Sequence, residues 1–233
     1  MSAPPLAPVG VELLDNPAAD AAAVARSLHH IARANRWFGG RAALRFGLQA
    51  LLNQVARGST LTLLDVGTGS GDLPRHAVRW AAARGIRLVP AGLERCPAAA
   101  RLARDGGLPT ALGCGATLPV RDHGVDLVLV SQVAHHLAAP AVVRLLRDCD
   151  RVARVGVIVS DLVRSPLAAA GFWLGSRLLR FDPATRADGI TSIRRGFTRQ
   201  EFQGFLREAG IAGEVYRRPR FRLVAVWRPG RRS

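Results

Sequence analysis

The sequence predicts an α/β fold built on a doubly wound, mostly parallel sheet of seven strands that closes with an antiparallel pair. Beyond Gly58, short apolar runs alternate with helical stretches, which is typical of βα units and a parallel sheet. A glycine-rich turn directly follows the first of these runs. The length of 233 residues, with 48% hydrophobic and 21% charged residues, fits one packed α/β domain with additions.

Two helices are expected ahead of the sheet. The first begins at Pro17 and carries Val24, Leu28 and Ile31 at helical spacing, until Gly39-Gly40 interrupts it. The second runs from about Arg41 with leucines at the same spacing. We therefore expect residues 1–57 to form a helical N-terminal extension or lid with a frayed, Pro-rich start, and residues 58–233 to form the main domain.

The elements of the main domain follow from the alternating pattern. Residues 125–130 are nearly continuous in apolar side chains, which is typical of a strand covered on both faces, so we place this strand at the centre of the sheet. Predicted strands span 61–66, 86–93, 109–113, 125–130 and 155–161, and predicted helices span 72–84, 97–104 and 140–152.

The last third of the chain predicts a helical insertion near 165–195 followed by a helix and two strands. A helix over 167–181 precedes turn signals at Asp182-Pro183 and Asp188-Gly189. Thr198 and Glu201 form a capping box at the start of a helix. Runs at 214–216 and 221–227 then indicate the closing antiparallel pair, which completes a Rossmann-like sheet.

The charge of +16 has two interpretations, which remain open. All 33 basic residues are arginine, which favours affinity for anions or anionic surfaces, but a GC-rich coding bias gives the same composition. The three cysteines, Cys96, Cys114 and Cys149, are widely separated, which disfavours a disulfide framework or a zinc site. We predict no metal ion.

Targeting and membrane-spanning segments are also not predicted. The N-terminus lacks a basic stretch followed by an apolar one, and no run of ~18 uncharged apolar residues occurs. We expect a cytoplasmic protein.

The strongest local signal is the stretch Leu63–Asp72, which reads LLDVGTGSGD. Glycines allow a sharp turn and the close approach of a ligand to the backbone. A site for a diphosphate needs unopposed N–H groups, whereas Asp65 and Asp72 bracket this loop. Two carboxylates favour a ligand with an ammonium or sulfonium cation. Glu94 follows at the end of the second strand, where a carboxylate can accept hydrogen bonds from both ribose hydroxyls.

Four motifs in this order resemble those of class I S-adenosylmethionine-dependent methyltransferases, in particular the small-molecule branch that includes ubiquinone and menaquinone biosynthesis methyltransferases. They are Leu63–Gly71, Gly92–Cys96, the stretch GCGATLPVRD over 113–122, and VDLV at 125–128 followed by AHHL at 134–137. The resemblance covers roughly residues 60–165. It implies S-adenosylmethionine as the cofactor and methyl transfer as the reaction.

The resemblance also implies roles for individual residues. Asp65, Gly67 and Gly69, with Thr68 and Gly71 in the same loop, would hold the methionine portion, and Glu94 would hold the ribose. Ser131 and Gln132 would lie near the sulfonium. The segment Cys114, Gly115 and Ala116 would meet the adenine edge. Cys114 stands where the family usually has Asp, so backbone N–H groups of this segment, and stacking by Arg95, are expected to replace that contact.

His135 is the candidate catalytic base, because it follows the fourth strand on the ligand side of the sheet and imidazole titrates near neutral pH. The alternative is that His135 and His136 only shape the loop. The candidate substrate-binding residues are Trp37, Phe38, His136, Asp161, Arg164 and Trp173. The segment Asn35–Gly40, which contains Trp37 and Phe38, is expected to form a lid over the acceptor pocket together with Phe172-Trp173. The alternative is that these aromatic side chains pack helices on the sheet.

The acceptor is expected to be a small, apolar or aromatic molecule, polyketide- or quinone-like, methylated at oxygen or carbon. An RNA or protein methyltransferase and a catalytically inactive cofactor-binding protein are the alternatives. Nucleic acid is disfavoured because the target-strand motif, Ser-Gln-Val-Ala, differs from that of amino-nitrogen methyltransferases. The insertion, rich in Leu, Phe and Trp with two arginines, also fits a peripheral membrane contact, although burial against the domain explains the same pattern.

Overall fold

A computed structural model describes residues 12–16, 18–115 and 117–230 of the chain. The strands are β1 (Thr60–Val66), β2 (Arg87–Glu94), β3 (Thr110–Leu112), β4 (Val125–Ser131), β5 (Ala153–Leu162), β6 (Glu214–Arg218) and β7 (Arg222–Trp227). They form one seven-stranded sheet in the order β3-β2-β1-β4-β5-β7-β6. The predicted fold class is confirmed.

The strands β1 to β5 are parallel, and β7 is antiparallel to both of its neighbours. Leu64 of β1 pairs with Ala91 of β2 on one side and with Val128 of β4 on the other. The chain order therefore reverses between β1 and β4. In doubly wound sheets, ligands bind at such a reversal, outside the carboxyl ends of the strands.

The described part of the chain contains eight α-helices. They are α1 (Ala21–Trp37), α2 (Gly40–Leu52), α3 (Asp72–Ala82), α4 (Pro97–Asp105), α5 (Ala139–Val152), α6 (Pro166–Leu178), α7 (Pro183–Arg195) and α8 (Arg199–Ala209). Among these, α8 begins with the predicted capping box, in which Thr198 and Glu201 each accept a backbone N–H from the other.

The sheet buries two apolar clusters, one on each face. One cluster joins α5 and α8 to β4, β5 and β7, with Phe202 and Leu146 among its fully buried side chains. The other joins α2 and α3 to the opposite face and includes Leu44, Leu48 and Leu51 of α2. Thus α2, which the sequence places in the N-terminal extension, packs directly on the sheet. The division into segments 1–57 and 58–233 stays a prediction.

The turn predicted at Asp188-Gly189 is wrong, because both residues lie inside α7. A Cβ atom at Gly189 would lie 2.2 Å from Cε1 of Phe172 in α6, so this glycine serves close helix packing. The other predicted turn signal, Asp182-Pro183, lies at the start of the same helix. Asp182 is its N-cap, accepting the N–H of Thr185 at 2.9 Å, and Pro183 is its first residue.

Some sequence predictions fall outside the described residues. These are the frayed start within residues 1–11 and the helix start at Pro17. Within the described helices, none is both long enough and apolar enough to cross a membrane.

Candidate active site

A cavity of about 610 Å³ lies at the carboxyl ends of β1, β2 and β4. The loops after these strands form one side of it, and α1, α6, α7 and the turn between β6 and β7 form the other. Its volume is within the range of about 300–1,000 Å³ that is typical of small-molecule sites. The cavity sits where strand order reverses, so fold and cavity agree on the position of the site.

The glycine loop forms the floor of the cavity. Gly67 and Gly69 line it with backbone φ angles of +73° and +55°, a region that favours glycine. A Cβ atom at Gly67 would lie 2.4 Å from a methyl group of Val133, so a larger residue is excluded by space as well. Gly71, also predicted to bind the cofactor, does not line the cavity; it is the N-cap of α3 and turns the chain into that helix.

Asp65 is a buried carboxyl at the base of this loop. It is 2% exposed, and its Oδ2 accepts the hydroxyl of Thr68 at 2.7 Å. Burial raises the pKa of Asp65 to about 8, and the neighbouring carboxylates Asp72 and Glu94 add to the rise. Burial also raises the pKa of Asp72. A cationic ligand beside these carboxyl groups would favour their ionised form, so the site favours a cation over an anion.

Glu94 joins the end of β2 to the glycine loop. Its Oε2 accepts the N–H of Gly69 at 2.8 Å, and its Oε1 accepts the N–H groups of Arg95 and Cys96 at 2.8 and 2.9 Å. A carboxylate oxygen can accept two hydrogen bonds, so Oε2 keeps one acceptor position open. Asp65 and Glu94 thus lie at the same edge of the sheet and both line the cavity.

The predicted adenine segment is only partly described. Cys114 is exposed and lines the cavity with Gly115, whereas Ala116 lies outside the described residues. Arg95 also lines the cavity, but its Nη2 donates to the backbone oxygen of Asp15 at 2.9 Å. This contact holds the guanidinium toward the segment before α1.

Polar side chains connect α1 to the ends of β1 and β4. Gln132, with a φ of +58°, donates from Nε2 to Oδ1 of Asn35 at 2.9 Å. Asn35, which is 2% exposed, donates in turn to Oδ1 of Asp72 at 3.1 Å. Ser131, at the end of β4, has a buried hydroxyl with no hydrogen-bond partner in the described structure. An unpaired buried hydroxyl on the cavity wall is a ready contact for a polar ligand atom.

His135 and Asp161 form a buried pair at the far side of the cavity. The side chains are 2% and 1% exposed, and Nδ1 of His135 lies 2.7 Å from Oδ1 of Asp161. Burial alone would raise the pKa of Asp161, but the charge and hydrogen bond of His135 outweigh it, and the pKa falls below its usual value. The Nε2 of His135 has no hydrogen-bond partner in the part of the chain described; its nearest carboxylate, Glu12, is 3.9 Å away.

His136 faces a second group of charged side chains. Its Nδ1 lies 2.9 Å from Oδ1 of Asp15. Burial opposes protonation, but the charges of Asp15, Glu12 and Asp161 raise the pKa of His136, and the same contact lowers the pKa of Asp15. Arg195 places Nη1 3.2 Å from Oε1 of Glu12 and 3.1 Å from Oδ2 of Asp15.

Donor atoms of Glu12, His135 and His136 lie within 4.8 Å of one another, a set that could ligate a divalent metal. Arg195 already supplies a positive charge beside the carboxylate of Glu12. The expectation that the protein uses no metal ion stays a prediction.

The predicted substrate-binding residues divide into two groups. Phe38 and His136 line the cavity. Asp161 does not, because it lies behind His135. Arg164 does not either, because it pairs with Glu201 at the start of α8. Trp37 and Trp173 are each 49% exposed and point away, while the adjacent Phe38 and Phe172 occupy the inward positions.

Sequence reasoning missed the contribution of α7, and it placed Asn35 in the lid segment without the partners Gln132 and Asp72 that the structure gives it. Thr185, Asp188, Ser192 and Ile193 of α7 line the cavity because a continuous helix replaces the predicted turn. Asn35 carried a detectable signal, since it occupies the buried stripe of α1 that also contains Val24 and Leu28. A polar residue on a buried stripe requires a specific hydrogen-bond partner.

Comparison with known proteins finds a family match over part of the chain. Residues 64–160 match the family model described as a methyltransferase domain. No curated protein matches the sequence.

Solved structures share the fold. An O-methyltransferase family protein from Burkholderia thailandensis has a TM-score of 0.66 at 16% identity, over 97% of this chain and 65% of that one. Human N-acetylserotonin methyltransferase in complex with SAM has a TM-score of 0.63 at 15% identity, over 91% of this chain and 57% of that one. A chain from the complex of the Haloferax volcanii Trm112 methyltransferase activator with the putative methyltransferase has a TM-score of 0.58 at 18% identity, covering 88% and 96%. This chain therefore spans about two thirds of the first and little more than half of the second.

Proposed function

We propose that this protein is an S-adenosylmethionine-dependent methyltransferase that methylates an oxygen or an acidic carbon of a small, apolar or aromatic acceptor. Residues 64–160 match a methyltransferase-domain model, and solved methyltransferases share the fold. S-adenosylmethionine is its cofactor. The buried His135–Asp161 pair beside an apolar cavity carries the proposal.

The residues at the cavity floor suit S-adenosylmethionine, which supplies a methyl group already activated on a sulfonium cation. Asp65 offers a buried carboxyl whose ionisation an adjacent cation favours. Glu94 has an open acceptor position for a ribose hydroxyl, and Ser131 has an unpaired buried hydroxyl. A diphosphate would meet carboxylates at the same positions, so the charge favours the zwitterionic methyl donor.

The side of the cavity opposite the glycine loop suits an apolar acceptor. Phe38, Phe172 and Phe181 line it, and their rings contact one another, with centroids 5.2 to 6.4 Å apart. Leu28 and Ile31 of α1 add aliphatic surface. Aromatic and aliphatic walls with few polar groups favour an aromatic or polyketide-like molecule. Shape and exclusion of water at this wall would align the acceptor with the methyl group, which can contribute up to about 7–11 kcal/mol to catalysis.

His135 would remove the proton from the acceptor. The ionised Asp161 accepts a hydrogen bond from Nδ1, and this leaves the lone pair of Nε2 free to take a proton. Nε2 is the atom without a partner, and His135 lines the cavity. A hydroxyl or an acidic carbon needs such a base, whereas an already nucleophilic amine does not. A base at this position therefore favours methylation at oxygen or at an acidic carbon.

The alternative of an RNA or protein methyltransferase rests on the net charge of +16 and on the arginine cluster over 217–222. Arg222 does not belong to that exposed group, because it is 2% exposed and donates from Nε to the backbone oxygen of Phe38 at 2.8 Å. Burial lowers its pKa to about 10. The remaining exposed arginines are Arg217, Arg218 and Arg220. A catalytically inactive binding protein would not need the buried His135–Asp161 pair, so this pair favours an enzyme.

A labelled-methyl assay in cell extract tests the proposal. The protein is incubated with methyl-labelled S-adenosylmethionine and extract, and label is counted in solvent-soluble, RNA and protein fractions. We expect label in the solvent-soluble fraction, and at least about a hundredfold slower labelling there with the His135→Asn variant. Label in RNA or protein would overturn the acceptor class. Cofactor binding without transfer to any fraction would favour the inactive binding protein.

A further inference from the structure

The structure assigns a lipid-docking face to the side of the protein that carries α6. We infer that this face binds the surface of an anionic lipid bilayer. Its exposed apolar residues are Trp37, Leu167, Trp173, Leu174, Leu178 and Phe221, and its basic residues are Arg36, Arg177, Arg180 and Arg220. Its function would be to take an apolar acceptor from the bilayer. That second step rests on the acceptor class proposed above, whereas the docking itself does not.

Large apolar side chains are exposed on α6. Leu167, Leu174 and Leu178 are 72%, 56% and 76% exposed, and their spacing of seven and four residues places them on one side of the helix. The buried residues of α6 are the small Ala168 and Ser176. A helix that points its leucines away from the core leaves apolar surface for a partner.

The exposed end of α1 and the β6–β7 turn lie next to α6. The ring centroids of Phe38 and Phe172 are 5.2 Å apart, and Arg33 donates to the backbone oxygen of Leu179 at 2.7 Å. The backbone oxygen of Phe221 accepts the N–H of Val163, just before α6, at 2.9 Å. Trp37 and Phe221, which are 49% and 37% exposed, therefore extend the same face.

Charge points to an anionic partner. The segments 21–64, 162–181 and 215–233 contain 16 arginines and no acidic residue, whereas the rest of the chain contains 17 arginines and 17 acidic residues. These segments supply α1, α6 and the β6–β7 turn as well as α2 and β7, and Arg36, Arg177, Arg180 and Arg220 are their exposed arginines beside the apolar side chains of the face. A codon bias would place arginine in the chain but would not remove acidic residues from these segments in particular.

Two tryptophan–arginine pairs resemble side chains at a membrane interface. Cζ of Arg177 lies 4.0 Å from the ring centroid of Trp173, and Cζ of Arg36 lies 5.2 Å from that of Trp37. Tryptophan prefers the boundary between headgroups and acyl chains, where arginine can also contact lipid phosphates. The leucines favour lipid over RNA, because aliphatic side chains give acyl chains apolar contact but give nucleotides neither stacking nor hydrogen bonds.

The docking face and the cavity share α6. Ala168, Gly171 and Phe172 line the cavity, while Leu174 and Leu178 are exposed on the same helix. Phe221 belongs to both the face and the cavity wall. An apolar acceptor dissolved in the bilayer would therefore reach the cavity along one helix without crossing the aqueous phase.

Vesicle co-sedimentation of the full chain tests the inference. Vesicles of phosphatidylcholine with about 30% phosphatidylglycerol are compared with pure phosphatidylcholine, each at about 50 and 500 mM salt. We expect binding to the anionic vesicles at low salt, and at least about tenfold weaker binding for the double variant Leu174→Glu, Leu178→Glu. The matched control is Leu112→Glu, since Leu112 is 54% exposed on β3, at the far edge of the sheet from β7.

Three results would overturn the docking face: no binding of the wild type to anionic vesicles, equal binding by the double variant, or retention by RNA in preference to vesicles. Calorimetry with S-adenosylmethionine on the same variants checks that the fold is intact. The extract assay of the proposed function is independent of these results, because it measures transfer in solution. Failure of docking with normal transfer would leave the enzyme and remove only the lipid surface.

Discussion

Nδ1 of His135 lies 2.7 Å from Oδ1 of Asp161, and both side chains are almost fully buried. The distance is short enough for a charge-assisted hydrogen bond. Such a bond fixes the imidazole ring and directs its second nitrogen, Nε2, away from Asp161. His135 follows β4 and Asp161 lies in β5, so two neighbouring parallel strands set the geometry.

The first prediction concerns His135→Asn. The asparagine amide can still donate to Asp161 but cannot take a proton, so we expect turnover to fall about 10²–10⁴-fold with little change in cofactor affinity. Asp161→Asn should lower turnover less, because Nε2 remains but loses its fixed orientation. Steady-state kinetics and calorimetry measure the two effects.

His29→Gln is the matched control for this prediction, because His29 is exposed on α1 and should change neither parameter. Equal turnover for His135→Asn and wild type would remove His135 from the chemistry and leave it with a role in shaping the loop.

The second prediction concerns protons released on cofactor binding. The pKa of Asp65 is raised to about 8 by burial, so the carboxyl is mostly protonated in the free protein at pH 7. A cationic cofactor beside it favours the ionised form, so binding should release a proton at pH 7 and none well above pH 8. Cofactor affinity should therefore rise with pH up to about 8 and then level off.

Calorimetry in buffers of different ionisation enthalpy measures this release. Asp65→Asn should bind more weakly and release no proton. Binding enthalpies that are the same in all buffers for the wild type at pH 7 would contradict the prediction.

The raised pKa of Asp65 also affects the stability of the free protein. Because the folded pKa lies above the unfolded value of 3.8, Asp65 stabilises the free protein most below about pH 4 and loses that contribution as pH rises through 8.

The third prediction concerns Asn35, which connects Gln132 to Asp72. Asn35→Ala removes one hydrogen bond from each of two partly buried polar groups, Gln132 and Asp72, which costs about 1–3 kcal/mol. We expect a lower melting temperature and a higher KM for S-adenosylmethionine, with kcat changed less, because the glycine loop loses its contact with α1. Asn53→Ala, at an exposed position after α2, is the control. A KM equal to that of the wild type would show that α1 does not position the loop.

Much of the cofactor side could be predicted from the sequence because its signals are local. The loop after β1 needs glycine within a few residues, and Asp65 and Glu94 lie at strand ends whose position follows from the parallel topology. The capping box at Thr198 and Glu201 is likewise a pattern of four residues. Such features depend little on how distant helices pack.

The acceptor side was predicted less well because it depends on the rotation of helices about their axes. The aromatic pairs Trp37-Phe38 and Phe172-Trp173 were assigned to the site, and in each pair only Phe faces inward. The sequence alone does not show which of two adjacent aromatic residues faces the cavity. Partners distant in sequence, such as Glu12 near His135, also leave no local pattern.

The last prediction tests why α7 contains a glycine. A Cβ at Gly189 would lie 2.2 Å from Cε1 and 2.3 Å from Cζ of Phe172, whose ring also packs against Phe38 and Phe181. Because this ring has little room to move, Gly189→Ala should destabilise the protein by about 1–3 kcal/mol and raise the KM for the acceptor.

Gly204→Ala in α8 is the matched control, since no atom beyond its own helix lies within 4 Å of the added methyl group. It should stabilise the protein by about 0.5–1 kcal/mol, because alanine loses less conformational entropy in a helix. Thermal unfolding should therefore show melting temperatures that shift in opposite directions for these two glycine-to-alanine substitutions. If Gly189→Ala were as stable as Gly204→Ala, the close packing of α7 on α6 would be wrong, and with it the wall that this packing gives the acceptor cavity.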